Sequence, residues 1–401
     1  MKQLGRFVPL ALAALIGTAC GNSSGPSGPQ AASVTGIAGD NQTAPTGATL
    51  TFPLSLVALG SSGQPVQGVQ VTWSATPAGS ASFTPATSTT DANGSAATSV
   101  TAGTLIGAVS VHAAVPGVAD VVYHVTVVDP CNYLAPYTFG QTVNGLLSTA
   151  DCNRNNFGFY YDFHGLSLPA GQQNIRISMH SSFDTWLDLW SAAGPYVAFD
   201  DDSILGQAQN SQIDIILPGN DYIIGASSFD RLITGAYSLA TSTRTSAMNG
   251  CRQVWVMRGI SVTDSITVAD CADSSVTPHY YDVARIVVYA GTVLSIAERS
   301  TAINPSLALY QVAPDSGYRR HLVASNDDSS ATNTNAFIRF NVDTSNIYDV
   351  VIGTSAGGET GTYTFTVDTT TTLSSRATPP SDVRSGSWWR LHGEMMRRSK
   401  P

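Results

Sequence analysis

Between residues 21 and 375 the chain contains no lysine, and its 11 arginines face 26 acidic residues, a net charge of −15 over that stretch. Nucleic acid requires a basic face, so this acidic body excludes it as a partner, while calcium and basic partners are permitted. Charged residues make up 12% of the chain, about half the usual ~25%. No long stretch outside the first twenty residues carries apolar residues at three- and four-residue spacing, so helices are not expected. The longest N-terminal apolar run, Phe7 to Ile16, is broken by Pro9 and is too short to cross a bilayer as a permanent helix. There is no His-Glu-x-x-His, the histidines at 112, 124, 164, 180, 279, 321 and 392 stand alone, and no motif sets a nucleophile beside a base. The sequence therefore predicts no catalytic site.

What replaces charge is Ser, Thr, Gly and Ala, a composition that suits strands joined by tight turns. Within it one long segment occurs twice. Cys131 and Asp151-Cys152 are echoed by Cys251 and Asp270-Cys271, Tyr160-Tyr161-Asp162 by Tyr280-Tyr281-Asp282, and Ala170-Gly171 by Ala290-Gly291. Leu187-Asp188-Leu189-Trp190 is echoed by Leu307-Ala308-Leu309-Tyr310, and Thr234-Gly235-Ala236-Tyr237 by Thr360-Gly361-Thr362-Tyr363. The matches keep one order at a spacing of 119 to 126 residues. A repeat of that length is a whole domain and not a solenoid unit.

The five cysteines sort with the repeat. Four form two equivalent pairs, which predicts the disulfides Cys131–Cys152 and Cys251–Cys271. Disulfides persist outside the reducing cytosol. The fifth, Cys20, closes a leader in which Lys2 and Arg6 precede the apolar run and Gly17-Thr18-Ala19 supplies small residues. That is the layout of a secretory signal over residues 1–19. With the cysteine directly after the small residues, the segment resembles a bacterial lipoprotein signal, although Gly17 stands where that family usually has Leu. The resemblance implies that Cys20 is acylated and anchors the mature chain to a membrane; ordinary cleavage near Cys20 is the other reading. Residues 20–30, rich in Gly, Ser and Pro, read as a flexible tether.

Residues 31–128 alternate short β-rich runs with turns. Leu50, Phe52, Leu54 and Leu56 alternate, as do Val69, Val71 and Trp73, then Val109 and Val111, then Val121, Tyr123, Val125 and Val127. This period of two predicts about seven half-buried strands in an immunoglobulin-like sandwich, with Trp73 in its core. The run Gly63-Gln64-Pro65-Val66-Gln67-Gly68-Val69-Gln70-Val71-Thr72-Trp73 and the turn Thr90-Asp91-Ala92-Asn93-Gly94 resemble bacterial Ig-like domains of the invasin/intimin group. That resemblance implies a rigid cell-surface spacer, in some members with a part in adhesion.

The two copies, 129–243 and 249–368, read as β-sandwich or jelly-roll units. Their order of Tyr-x-Phe, Leu-Pro-Ala-Gly, a Leu-x-Leu strand, an acidic turn and a closing Gly-x-Tyr-x-Leu strand resembles the bacterial pre-peptidase C-terminal domain. The resemblance implies jelly-roll modules appended to exported proteins, some binding calcium and some binding insoluble polymers. Asp200-Asp201-Asp202 in the first copy matches Asn326-Asp327-Asp328 in the second. Clustered carboxylates with Asn and Ser can supply the oxygens that calcium takes, and a cation relieves their repulsion. The same residues also suit a plain solvated turn, since no full calcium-loop motif is present. Tyr160 and Tyr280 each precede a second tyrosine. In a strand one of two neighbours faces away from the core, so these two are the candidate exposed platform for a sugar or peptide, with packing against a neighbouring loop as the alternative.

Residues 369–401 turn basic, with 6 basic and 2 acidic residues from Arg376 onward. They read as a disordered tail, or as one that touches an acidic or membrane surface. Together these features predict an all-β chain: an Ig-like β-sandwich followed by two tandem β-sandwich or jelly-roll domains. They point to an exported, lipid-anchored cell-envelope protein, otherwise a secreted one. Its expected role is non-catalytic binding or display toward an extracellular polymer or surface protein. Two alternatives stand beside it: an accessory substrate-binding subunit for a separate secreted hydrolase, and an enzyme whose site the sequence does not disclose.

Overall fold

Most of the period-two patterns become strands, and no long helix forms among the described residues. The structure, a computed structural model, describes residues 28–153, 157–201, 209–248, 251–313, 319–328, 330 and 333–371. Cys20, Asp202 and residues 372–401 lie outside them; Thr369, Thr370 and Thr371, read above as the start of the tail, instead end the last strand, paired to Leu294, Val293 and Thr292. Among the described residues no helix is long and apolar enough to cross a membrane. The chain divides into two units: Met1–Gln42, Thr49–Gly103 and Ala108–Thr126 form one, and Thr43–Ala48, Thr104–Gly107 and Val127–Pro401 form the other.

The N-terminal sandwich uses nine strands. They are β1 (Ser33–Ala38), β2 (Gln42–Pro45), β3 (Leu54–Leu59), β4 (Gln70–Thr76), β5 (Ala81–Thr84), β6 (Thr87–Thr89), β7 (Ser95–Ala102), β8 (Gly107–Ala114) and β9 (Val121–Val128). They order as β1-β3-β7-β5 and β2-β9-β8-β4-β6. Alternate residues of the central strands are buried, among them Leu54, Leu56, Val71, Trp73, Val111, Tyr123 and Val125. Each apolar face must find another, which makes a sandwich. Trp73 lies in this core, its ring 6.0 Å from that of Tyr123, and its indole N–H donates to Ser88 Oγ at 2.9 Å. The Asp91 turn works as its composition suggests: Asp91 Oδ1 accepts from the N–H groups of Asn93 and Ser95. Gly94 there has φ +71°, and a Cβ would meet Ala58 O at 2.6 Å. One expected core position fails. Phe52 is 63% exposed, because the strand starts only at Leu54 and the Phe52 backbone is held instead by the Gln42 side chain.

The first repeat copy contributes β10 (Ala135–Tyr137), β11 (Thr142–Leu147), β12 (Asp162–Ser167), β13 (Gln172–Ser181), β14 (Thr185–Ser191), β15 (Tyr196–Asp200), β16 (Ser211–Pro218), β17 (Asp221–Ser228) and β18 (Gly235–Thr243). The second contributes β19 (Val254–Val256), β20 (Ile260–Ile266), β21 (Cys271–Ala272), β22 (Tyr280–Val288), β23 (Thr292–Arg299), β24 (Pro305–Ala313), β25 (Arg319–Asn326), β26 (Ala336–Val342), β27 (Asn346–Thr354) and β28 (Gly361–Thr371). In the first copy a sheet β10-β12-β17-β14-β15 faces β11-β18-β13-β16; in the second, β19-β22-β27-β24-β25 faces β20-β28-β23-β26. The order is the same strand for strand. Even the short β21 pairing, Cys271 with Tyr281, has its counterpart in an isolated bridge between Cys152 and Tyr161.

The two copies are welded. Edge strand β16 of the first runs parallel to edge strand β19 of the second, with Ile215 beside Trp255 and Ile216 beside Val256, so one ten-stranded sheet passes through both. The apolar run Ile215-Ile216-Leu217 explains why: Ile215 and Leu217 point into the first core, and Ile216 joins the second. In return Trp255, Val287, Val312 and Ile347 join the cluster of the first copy. The Trp255 ring lies 5.5 Å from that of Phe199, tilted by 54°, and Tyr289 donates its hydroxyl to Tyr196 O at 3.1 Å.

Candidate functional site

Two sequence signatures of the repeat turn out to be ends of one hydrogen bond. The Asp of Tyr-Tyr-Asp and the Tyr of Gly-x-Tyr meet between the sheets. Tyr237 donates to Asp162 Oδ2 at 2.8 Å in the first copy, and Tyr363 to Asp282 Oδ2 at 2.9 Å in the second. In the first copy His164 Nε2 also meets the Tyr237 hydroxyl at 3.0 Å. The ring of Tyr237 fits only because residue 145 is glycine; a Cβ there would lie 2.1 Å from it. Burial, reinforced by the charge of Asp151, pushes Asp162 up to about 7. Burial pulls His164 down to about 4, so its ring is neutral at pH 7. The second copy adds Glu298 in the same interior, fully buried. Burial pushes it up to about 9. The two Tyr–Asp bonds bolt the sheets together from inside the sandwich.

The acidic turns repeat for a structural reason. Asp200 Oδ2 accepts from Gln212 N at 2.7 Å, and Asn326 Oδ1 accepts from Phe337 N at 2.8 Å. Gln212 and Phe337 occupy the same place in β16 and β26. In each copy, then, a side-chain oxygen at the end of one sheet pins the start of a strand in the other. Asp201 gives its carbonyl to Ser211 Oγ, and Asp327 takes the Ser355 hydroxyl on Oδ2 and the Asp328 N–H on Oδ1. Among the described residues no group of three or more His, Cys, Asp or Glu is placed to hold a metal ion. Asp202, the third member of the first cluster, lies outside the described residues.

Tyr160 is not an exposed platform. It is 7% exposed, because β12 starts only at Asp162 and strand alternation does not reach residue 160. The Tyr160 carbonyl takes the buried Ser227 hydroxyl at 2.7 Å. Tyr280 does begin β22, and it is half-buried against the second core. Cys131 is bonded to Cys152 and Cys251 to Cys271, across 21 and 20 residues of chain. One Ser, Asp and His do gather, in the loop before β22. Asp273 accepts from Ser275 Oγ at 2.5 Å and lies 2.9 Å from His279 Nδ1. Here the carboxylate sits in the middle, whereas a nucleophile triad needs the histidine there.

Sequence reasoning missed a basic recess on the outer face of the sheet β11-β18-β13-β16. Arg176 of β13 lies between Asp214 of β16 and Ser242 of β18. Its Nε and Nη2 bind the two Asp214 oxygens at 2.7 and 2.9 Å. Beyond β18 the chain folds back: Asn174 Nδ2 holds the carbonyls of Arg244 and Ser246, and Arg244 Nη1 returns to Asn174 Oδ1 at 2.8 Å. The result is a cavity of about 220 Å³ lined by Arg176, Ser242, Thr243, Arg244, Thr245 and Ser246. The available signal was the run Thr241-Ser242-Thr243-Arg244-Thr245-Ser246, hydroxyls on both sides of a cation in a lysine-free stretch.

No protein-family model matches the chain, and no curated protein matches it. Solved structures do align. The pre-peptidase C-terminal domain of a collagenase from Bacillus anthracis covers 27% of this chain and 95% of its own, at 17% identity and a TM-score of 0.23. Tripeptidyl peptidase 2 covers 83% of this chain and 33% of its own, at 10% identity and a TM-score of 0.18. An archaeal-virus structure described as a triple jelly-roll fold and turret assembly covers 80% of this chain and 82% of its own, at 12% identity and a TM-score of 0.21.

Proposed function

We propose that the chain is a non-catalytic binding or display protein of the cell envelope, exported by its leader, anchored through Cys20, and made of an Ig-like spacer and a rigid double β module that it presents. The observation that carries this reading is the weld between the copies. A sheet continuous through β16 and β19, with Trp255 and Ile216 each buried in the other copy's cluster, gives one firm body with broad β surfaces. Such a body suits presentation to a partner. The polar groups that would otherwise suggest chemistry are spent on structure: Asp162, His164 and Tyr237 on one another, and Asp200 and Asn326 on strand ends. The two cystines support an oxidising destination.

Two measurements test the reading. Expressed in a bacterial host with a labelled fatty acid, the wild-type chain is expected to carry label and to sediment with membranes, and Cys20→Ser to lose both. Purified protein is then offered insoluble polysaccharides and collagen. Retention on one of them supports a binding role. An unlabelled, cytoplasmic product with reduced thiols sinks the proposal.

A further inference from the structure

The recess around Arg176 and Arg244 sets two cations beside one carboxylate in an otherwise acidic chain. Asp214 is the carboxylate both guanidinium groups share, and it is committed mainly to Arg176, whose Nε lies 2.7 Å away against 3.6 Å for that of Arg244. Arg176 accordingly holds its proton more firmly than usual, chiefly through its hydrogen bond to Asp214. Arg244 is pulled the other way. Its side chain is 6% exposed; burial lowers its pKa, the charges of Arg176 and Arg252 reinforce that, and Asp214 and, more weakly, Asp264 oppose it. Its guanidinium meets Asp214 only at 3.6 Å, with no short bond to a carboxylate.

Donors are left over as well. Arg176 uses Nε and Nη2 on Asp214, and Arg244 uses Nη1 on Asn174 and the Ala247 carbonyl. Among the described residues Nη1 of Arg176 and Nη2 of Arg244 have no hydrogen-bond acceptor, and the hydroxyls of Ser242, Thr243, Thr245 and Ser246 make no bond either. All six lining residues are thus hydrogen-bond donors, and two of them are cations. Guanidinium forks with adjacent hydroxyls fit the oxygens of a sulfate or phosphate group, which accept several charge-assisted bonds at once. A neutral sugar would leave the excess charge unmet.

We propose that this recess is an oxyanion-binding site that takes a sulfate or phosphate group, free or carried as an ester on a larger molecule. Arg176 and Arg244 supply the charge, and the hydroxyls of residues 242–246 complete the oxygen shell. The site is independent of the display role, since an unanchored chain holds it equally.

The test is isothermal titration of the full chain with sodium sulfate and sodium phosphate against a sodium chloride background of matched ionic strength. We expect saturable millimolar binding. Ser242→Asp, at an exposed position, sets a carboxylate at the mouth and is expected to weaken binding by about tenfold or more while leaving the melting curve in place. Arg176→Gln is the second variant, and it is expected to lose binding too. Dextran sulfate binding more tightly than free sulfate, with plain dextran inert, identifies an ester on a polymer as the natural source; equal affinities identify the free anion. No saturable heat with either anion, or wild-type affinity in Ser242→Asp, overturns the site.

Discussion

Glu298 offers the sharpest test of the physical reasoning. It lies on β23 in the inward phase set by Leu294 and Ile296, fully buried, and neither carboxyl oxygen has a hydrogen-bond partner among the described residues. The backbone N–H groups of Gly353 and Ser306 come close enough to oppose the burial only in part, and the charge of Asp282 adds to it, so the group is pushed from an ordinary 4.5 up to about 9. The sign follows directly. The unfolded chain ionises Glu298 from about pH 4.5 and the folded chain only near 9. Stability is full below pH 4.5 and falls as pH rises, by about 1.4 kcal/mol per unit and on the order of 6 kcal/mol across the window. The neighbouring groups are Asp282, Tyr363 and, more distantly, Asp264. Two substitutions isolate the effect. Glu298→Gln keeps the shape and removes the titration. Glu298→Met installs the residue that the first copy has at the same place, Met179, also fully buried. Urea unfolding of the whole chain, followed at pH 5.0 and 8.5, is the assay. Asp162 and Asp188, both pushed up to about 7 by burial, lose stability over a lower window, and His164 tilts the curve the opposite way. All three act equally in wild type and variants. We expect Glu298→Met to be more stable than wild type by on the order of 4 kcal/mol at pH 8, and the gap to shrink steadily toward pH 5. Wild type and Glu298→Gln running parallel from pH 5 to 9 would refute the assignment.

Three further outcomes follow from the same structure. Replacing Cys131 and Cys152 together by serine is expected to cost about 3 kcal/mol in denaturant unfolding, and replacing Cys251 and Cys271 nearly the same, because the loops are of almost equal length. Gly145→Ala drives a methyl into the Tyr237 ring and breaks its bond to Asp162; we expect a loss of about 3 kcal/mol. Gly165→Ala, whose nearest neighbour is 3.9 Å away, serves as its control and is expected to stay within about 0.5 kcal/mol. Ile216→Asn buries an amide in the second core and is expected to cost about 3 kcal/mol. It is also expected to expose the link between the copies to limited proteolysis; unchanged protease resistance would count against the weld.

Much of this architecture is written in local patterns, and what escapes reading is where two segments meet. Alternation at Val71 and Trp73, or at Ile175 and Ile177, reports a half-buried strand because each residue's face depends only on its neighbours. Tyr160 defeats the same rule because alternation applies only where the backbone is extended, and β12 begins two residues later. The recurrence of Tyr-Tyr-Asp with Gly-x-Tyr is plain in the sequence, but that the two touch is a fact of sheet packing. The acidic turns show that repetition can have a structural source. Recurring Asp and Asn look like ligands, yet both copies need a side-chain oxygen at that point to hold a strand end. The weld left one legible trace. Strand β16 reads Ile215-Ile216-Leu217 without alternation, the sign of burial on both faces, whereas β26 keeps Ile338-Arg339-Phe340-Asn341-Val342, an alternation of inner apolar and outer polar residues, at the same place.

That contrast extends to the two outer edges of the pair. If β16 can pair with β19, then β26 and β10, their counterparts at the two outer edges, are a ready template for a third module or a second molecule, and head-to-tail pairing of that kind does not close. The sequence breaks the template at both ends. Where the joint has Trp255, β10 has Pro136, which offers no N–H to a partner strand. Where the joint buries Ile216, β26 has an exposed Asn341, and where Asp214 anchors two arginines it has Arg339. Arg176 and Ser242 are likewise replaced by Ser295 and Asp368. Among the described residues the basic recess therefore has no counterpart at the matching positions of the second copy. Its pair of cations needs both Arg176 of the sheet and Arg244 of the segment after β18, where Asn174 holds the Arg244 and Ser246 carbonyls, so module and connection build it together.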